Sequence, residues 1–377
     1  MTEERQQVRE LARQFAESEL RPHVEQWDRD RRLDPGVLEQ LAELGFFGMR
    51  VPEEYGGMGF DLGMYVAVLE ELAWGEPSVA LTVSIHSAFA VGLLLAHGTE
   101  AQKREWLGRL ASGEVIGCFA LSEAGAGSDA AAVETRAWRD GDGWVLSGEK
   151  KWVTNARLAG LGLVVARTAE DPAGGEQPKS RGLSVFLVPM DSPGVEIGER
   201  KTTMGLRPIE VGDVRFRDVR VPGDALLGEE GRGFALAMEA LDVGRLGIAA
   251  QAVGIAQAAL EHARSYADER EQFGRKLREF EGIQFKLADM ATRVAAARAL
   301  LEAASAEPST SRSAMAKLFA SETAMWVTTQ AVQVFGGYGY MRDYPVEKLM
   351  RDAKATEIYE GTNEIQRVVI ARGLYRS

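Results

Sequence analysis

The periodicity of the chain changes twice, near residue 115 and again near residue 232, and this limits what it can fold into. Before the first change, apolar side chains recur three to five apart: Leu11, Phe15 and Leu20, then Val37, Leu38, Leu41 and Leu44. That spacing predicts amphipathic helices. Pro22 and Asp34-Pro35-Gly36 punctuate them. Glu53–Gly59 reads as a glycine-rich turn, Leu62–Ala73 as a helix, and the apolar, small-residue stretch Ser78–Leu95 as a buried helix. Between about 116 and 220, short alternating runs are separated by turns. Trp144–Thr154, Leu161–Arg167, Leu183–Val188 and Val214–Val221 read as strands, and 169–181, rich in Gly, Pro and charge, as an exposed loop. After 232, Ala-rich runs fill 233–268, 283–306 and 312–334, with connections at Pro308, Gly336-Gly337 and Pro345. Their high helix propensity suits a bundle. The expectation is an α+β multidomain chain: helices over 1–115, a β domain over 116–225 and a helical bundle over 226–377.

A length of 377 residues exceeds what one hydrophobic core usually serves, which agrees with that division. No run approaches 18 consecutive apolar residues, and the acidic N-terminus lacks the apolar core of a signal peptide. A cytoplasmic protein without a membrane span is expected. The single cysteine, Cys118, excludes an internal disulfide. His23, His86, His97 and His262 have no ligand spacing, so no metal is expected. A formal charge of −12 argues against general nucleic-acid binding but permits a local basic patch for a phosphorylated ligand.

Six stretches carry chemistry-bearing residues. In Ala355–Leu374, Glu360 precedes Gly361 and a capping Thr362 or Asn363, at a break between two helical runs. A carboxylate shielded from water there is a stronger base, and unpaired N–H groups at the helix start can hold negative charge. The same residues also fit a capped helix whose acid offsets the dipole. In Cys118–Asp129, Gly125 and Gly127 permit unusual backbone, and with Ser128 they fit a phosphate nest or a plain strand turn. Trp152 and Thr154, two apart on a strand face, fit a flat heterocycle or a core position. Arg270, in Arg270–Leu277, fits a phosphate contact or an exposed helix end. Gln333–Pro345 has glycines that let a ligand or backbone approach. Leu241–Arg245 places a cation in an apolar helix.

Together and in this order, these stretches resemble the acyl-CoA dehydrogenase family of flavoenzymes. The resemblance rests on Leu121-Ser-Glu-Ala-Gly-Ala-Gly-Ser-Asp129, Gln333-Val-Phe-Gly-Gly-Tyr-Gly-Tyr340 and Tyr359-Glu-Gly-Thr-Asn-Glu-Ile-Gln-Arg367, and spans nearly the whole chain. It implies an N-terminal α-helical domain, a middle β-barrel-like domain and a C-terminal four-helix bundle. It also implies FAD and a homotetramer built as a dimer of dimers. By motif, Phe119, Leu121, Ser122, Trp152 and Thr154 would line the flavin ring, with Gly127 and Ser128 at the pyrophosphate. Arg270, Gln272, Phe273, Leu277, Gln333 and Gly337 would hold the remainder, partly across subunits, and Thr362 and Glu364 would add contacts. Glu360 would be the base that removes the α-proton of an acyl-CoA, with Tyr359, Gly361 and Ser128 beside the substrate. Asp242, Arg245 and Arg372 would contact the CoA moiety. An electron-transfer flavoprotein would receive the electrons.

Some residues depart from the family pattern. Ala124 stands where Pro is usual, and Glu281 where many members have Gln near the adenine. A subset of the family carries its base directly before the arginine of the Leu241–Arg245 helix; here that position is Gly244. No Arg falls in Ser84–Leu95 to pair a second carboxylate, which disfavours a glutaryl-type substrate. Competing readings are an acyl-CoA oxidase, and a non-catalytic FAD-binding relative that binds nucleic acid or a protein partner.

Overall fold

A computed structural model describes residues 3–169 and 180–375. The loop expected over 169–181 lies mostly outside them. The chain begins with α1 (Glu3–Phe15), a π-helical turn and a 3₁₀ turn around Pro22, α2 (Val24–Asp30) and α3 (Pro35–Glu43). Asp34 caps α3, its carboxylate accepting from the Gly36 N–H, and Asp61 caps α4 (Leu62–Gly75), accepting from the Met64 N–H at 2.7 Å. The stretch expected as one buried helix is three pieces: α5 (Pro77–Ile85), a π-helical turn over His86–Val91, and α6 (Gly92–His97). π-turns of this kind insert a residue and re-aim the side chains that follow. α7 (Glu100–Ala111) starts with a capping box between Thr99 and Gln102.

The middle segment is one eight-stranded sheet. Its strands are β1 (Ile116–Ala120), β2 (Arg136–Asp140), β3 (Gly143–Thr154), β4 (Ala159–Arg167), β5 (Leu183–Pro189), β6 (Val195–Arg200), β7 (Val211–Val221) and β8 (Leu226–Leu227). They run in the order β6-β7-β3-β2-β4-β5-β8, with β1 added parallel to β4. Four strands escape the alternation reading: β1 is apolar throughout, β2 and β6 are short and charged at half or more of their positions, and β8 has only two residues.

After β8 comes α8 (Gly233–Glu269), 37 residues long, a small hairpin of β9 (Glu271–Gln272) and β10 (Arg275–Lys276), then α9 (Glu281–Ala306) and α10 (Thr310–Phe335). α11 (Val346–Thr356) and α12 (Asn363–Leu374) pack on α10. Ala-rich faces allow close approach: α8 packs against α4, α9 and α10. Side chains of α1, α4, α5 and α8–α11 form one core, so the first and last helical segments are joined rather than separate. Among the described residues, the stretches Pro77–His97 and Gly233–Glu269 are long and apolar enough by length and composition to cross a membrane, although neither is an unbroken apolar run. In both, 83% of the apolar window is buried inside the fold, as in core helices.

A buried charge cluster ties the three segments together. Lys348 on α11 lies 2.9 Å from Glu76, the cap of α5, and 2.6 Å from Asp352. The other Asp352 oxygen accepts from the Leu206 N–H at 2.5 Å. Nearby, Asp28 of α2 pairs with Arg351 and Arg207 at 3.0 and 3.1 Å. Burial would lower the Lys348 pKa, but its two carboxylate partners outweigh that and raise it. Removing one partner of a buried network strands the others without compensation. Lys348→Met is therefore expected to destabilise the protein by about 3–5 kcal/mol. Denaturant unfolding measures this, and a loss under about 1 kcal/mol would show that the network contributes no net stability.

Candidate active site

The candidate site is a cleft of about 640 Å³ where all three segments meet. α5 and the π-turn supply Leu81, Ile85 and Phe89; β1 and the loop after it supply Phe119, Leu121, Ser122, Gly127 and Ser128. Trp152 and Thr154 come from the end of β3, Leu241 and Arg245 from α8, and Tyr359, Glu360, Gly361 and Arg372 from the C-terminal turn and α12. The π-turn aims Phe89 at Phe119: their rings stack 4.6 Å apart at 12°. Leu121, Ser122 and Gly127 are reached because the loop is anchored from beneath. Fully buried Lys150 donates to the Leu121 carbonyl at 3.0 Å and to the Glu123 carboxylate at 2.7 Å. Glu123 also accepts from Thr135.

Two local expectations need correction. Gly125 and Gly127 have no positive φ; a Cβ at either would meet nothing within 4 Å, so they leave an open face rather than a left-handed turn. Trp152 and Thr154 do not share a regular strand face. The β3–β7 ladder shifts register between Lys150 and Val153, and Trp152 has φ +56°. That bulge leaves the indole 58% exposed in the cleft.

Glu360 lies on the turn between α11 and α12. Its φ is +53° and that of Gly361 is +90°, two left-handed residues in succession. Thr362 then caps α12, its hydroxyl accepting from the Ile365 N–H. Tyr359 anchors the turn by donating to Gln251 at 2.5 Å, and Gln251 donates to the Pro77 carbonyl at 2.8 Å. Both Glu360 carboxylate oxygens are buried with no hydrogen-bond partner. Burial pushes the carboxyl up to about 8, against the pull of Lys317 and Arg245. An isolated carboxylate held this way is a base in want of a proton. Room for it comes from Gly244, where a Cβ would lie 2.2 Å from Oε2 of Glu360. Positions 244 and 360 thus compete for one space, which a single glycine resolves.

Arg245 is buried, donates to Asp242 at 2.6 Å, and keeps a buried Nε without a partner. Asp242 stands behind Arg245 and also accepts from Thr310. Burial raises the Asp242 pKa and lowers that of Arg245.

The remaining expected residues do not reach this cleft within one chain. Arg270, Gln272, Leu277 and Gly337 line a separate open depression of about 450 Å³ beside Tyr338. Phe273 is 94% exposed and Gln333 is exposed on the last turn of α10. Thr362 is used as a cap, and Glu364 is exposed in the first turn of α12. Lys317 and Gln366, which hold the Glu360 turn from beneath, were not anticipated. The one available signal for Lys317 is a charged residue within an otherwise small, apolar run of α10.

Three family models match in chain order: "Acyl-CoA dehydrogenase, N-terminal domain" over residues 2–114, its middle domain over 118–219 and its C-terminal domain over 231–375. A mitochondrial short-chain specific acyl-CoA dehydrogenase of Bos taurus is 45% identical over 382 residues, covering 100% of this chain and 91% of the relative. Among solved structures, butyryl-CoA dehydrogenase from Megasphaera elsdenii superimposes with a TM-score of 0.96 at 40% identity, covering 100% and 99% of the two chains. A chain from work on the electron transferring flavoprotein of Acidaminococcus fermentans does so at 0.96 and 43%, with the same coverage.

The competition at position 244 is directly testable. Gly244→Ala is expected to force the Glu360 side chain from its place and to cost about 1–3 kcal/mol of stability. A crystal structure of the variant reads the displacement, and an unmoved Glu360 rotamer would show that the close approach is not a constraint.

Proposed function

Since the chain belongs to the acyl-CoA dehydrogenase family, we propose that it dehydrogenates short acyl-CoA thioesters to trans-2-enoyl-CoA with Glu360 as the base. The unpartnered, buried carboxylate of Glu360 carries this reading. The α-proton of a thioester is weakly acidic, so its base must be desolvated and the enolate oxygen stabilised. Among the described residues no acceptor takes the Glu360 main-chain N–H, which leaves it free to donate to that oxygen. A preorganised donor of this kind is worth about 3–4 kcal/mol. The proton passes to the Glu360 carboxylate, so the step requires the ionised form and quickens as pH rises through about 8.

The residues fit FAD as the cofactor. The indole of Trp152 and the ring of Phe119 offer apolar faces in the cleft, and Ser122, Ser128 and Thr154 offer hydroxyls. The open faces of Gly125 and Gly127 admit a pyrophosphate. When bound, the flavin supplies the acceptor for the β-hydride. Gln272, Phe273, Gln333 and Gly337 are exposed on one chain and Arg270 is half-buried beside them, and we assign all five to the FAD of a neighbouring copy in a homotetramer. Arg245, Asp242 and Arg372 are assigned to the CoA moiety. The likeness to the chain from the Acidaminococcus work supports an electron-transfer flavoprotein as acceptor.

A short acyl chain is supported by packing one helical turn beyond Gly244. There a Cβ on Gly247 would lie 2.3 Å from the Ser84 hydroxyl and 3.0 Å from the Tyr65 hydroxyl. α8 is thus closely packed against α5 and α4 at this level. The relatives named short-chain and butyryl agree.

The test is anaerobic addition of C4 to C16 acyl-CoA, with isobutyryl- and isovaleryl-CoA, while flavin absorbance near 450 nm is followed. Bleaching fastest with C4 is expected, falling with each added methylene. Glu360→Gln should retain flavin and lose about 10²–10⁴ in bleaching rate. A near-normal rate in that variant would remove Glu360 from the role.

A further inference from the structure

Two consecutive left-handed residues need an anchor, because the first is a glutamate and pays about 1–2 kcal/mol for that backbone. The anchor lies beneath the turn. Lys317 on α10 is fully buried, and its ammonium donates to the Gly361 carbonyl at 2.9 Å and to the Asn363 side-chain oxygen at 3.0 Å. One turn along α10, the Ser321 hydroxyl donates to the same Asn363 oxygen at 3.0 Å. From α12, the Gln366 amide donates to the Glu360 and Gly361 carbonyls at 3.2 and 2.8 Å. Among the described residues, the hydrogen-bond partners of the Lys317 ammonium are a carbonyl and an amide oxygen, not a carboxylate. A buried cation without an ion pair is costly unless something nearby needs its charge.

We propose that Lys317 is a positioning residue for the base: by donating to the Gly361 carbonyl and the Asn363 side chain it fixes the Glu360 main chain and places a buried cation beneath the turn that carries the carboxylate. This rests on Glu360 being the proton acceptor. The groups facing Glu360 are Lys317 from α10, Arg245 from α8, Tyr65 from α4 and the adjacent Tyr359. Arg245 is itself countered by Asp242, so Lys317 is the cation whose charge is not already spent on a carboxylate partner. Lys317 in turn faces Glu360, Glu357, Glu364 and Arg245, and burial lowers it to about 8. The sign follows directly. An ammonium favours the neighbouring carboxylate, so removing it raises the Glu360 pKa and moves the alkaline rise of the proton-abstraction rate to higher pH.

The test compares wild type, Lys317→Met and Lys317→Arg as flavin-loaded enzymes. Two readouts are taken: the pH profile of anaerobic bleaching by butyryl-CoA, and amide hydrogen exchange over residues 358–366. Lys317→Met is expected to shift the rising limb upward by about one unit or more, to slow bleaching at pH 7 about tenfold, and to speed exchange in the turn. Lys317→Arg, which keeps the charge, should return the limb to its wild-type position. An unshifted limb in Lys317→Met overturns the proposal, as does a uniform loss of rate that Lys317→Arg does not correct. If Lys317→Met does not fold, Asn363→Ala decides instead. It removes one ammonium acceptor and keeps the charge, so exchange should quicken with the limb unmoved; wild-type exchange overturns the pinning. If wild type is bleached by no acyl-CoA, the proposed activity fails, and the exchange comparison alone decides whether Lys317 pins the turn.

Discussion

The desolvation of one carboxylate organises this molecule. Glu360 has no hydrogen-bond partner on either oxygen, and burial lifts its pKa to about 8. An unpaired acid in an apolar place is normally removed by selection for stability or neutralised by a partner. Here its surroundings keep it bare. Gly244 gives it space, the Phe89–Phe119 stack walls the cleft beside it, and two cations stand near enough to moderate its pKa without bonding to it. The fold bears the cost of that arrangement through a large, well-packed core elsewhere.

Holding such a group requires rigidity from every side. α8 carries Gly244, Arg245 and Gln251, and so meets the Glu360 carboxylate, holds a buried guanidinium near it and anchors Tyr359 within two turns. α10 supplies Lys317 beneath the turn. The sheet contributes the opposite wall through a loop that buried Lys150 and Glu123 lock in place. The Glu76–Lys348–Asp352 cluster then fixes the first helical segment, the sheet and α11 relative to one another. The buried charges of these two clusters are compensated, whereas neither Glu360 oxygen has a partner.

Much of this was legible in the sequence. The three Ala-rich helices and the principal strands follow from periodicity, because burial on one or both faces writes itself into residue spacing. The Glu360-Gly361-Thr362 break was visible because glycine and a capping residue both announce it. What escaped were features set by tertiary contact. The π-turn at His86–Val91 has no local signature in an all-apolar run. The Trp152 bulge depends on pairing with β7, a strand about 60 residues away. Lys317 looks like an ordinary helix lysine until α12 folds across it. The Arg270 group, read from the resemblance as acting partly across subunits, lies on a single chain in a separate depression away from the cleft.

Burial without a partner keeps Glu360 protonated to unusually high pH. Infrared difference spectroscopy between wild type and Glu360→Gln measures this directly through the carboxylic C=O stretch. A protonated-acid band is expected at pH 6.5 and should disappear as pH passes through about 8. A band already absent at pH 6, with Glu360 ionised like a surface carboxylate, would contradict it.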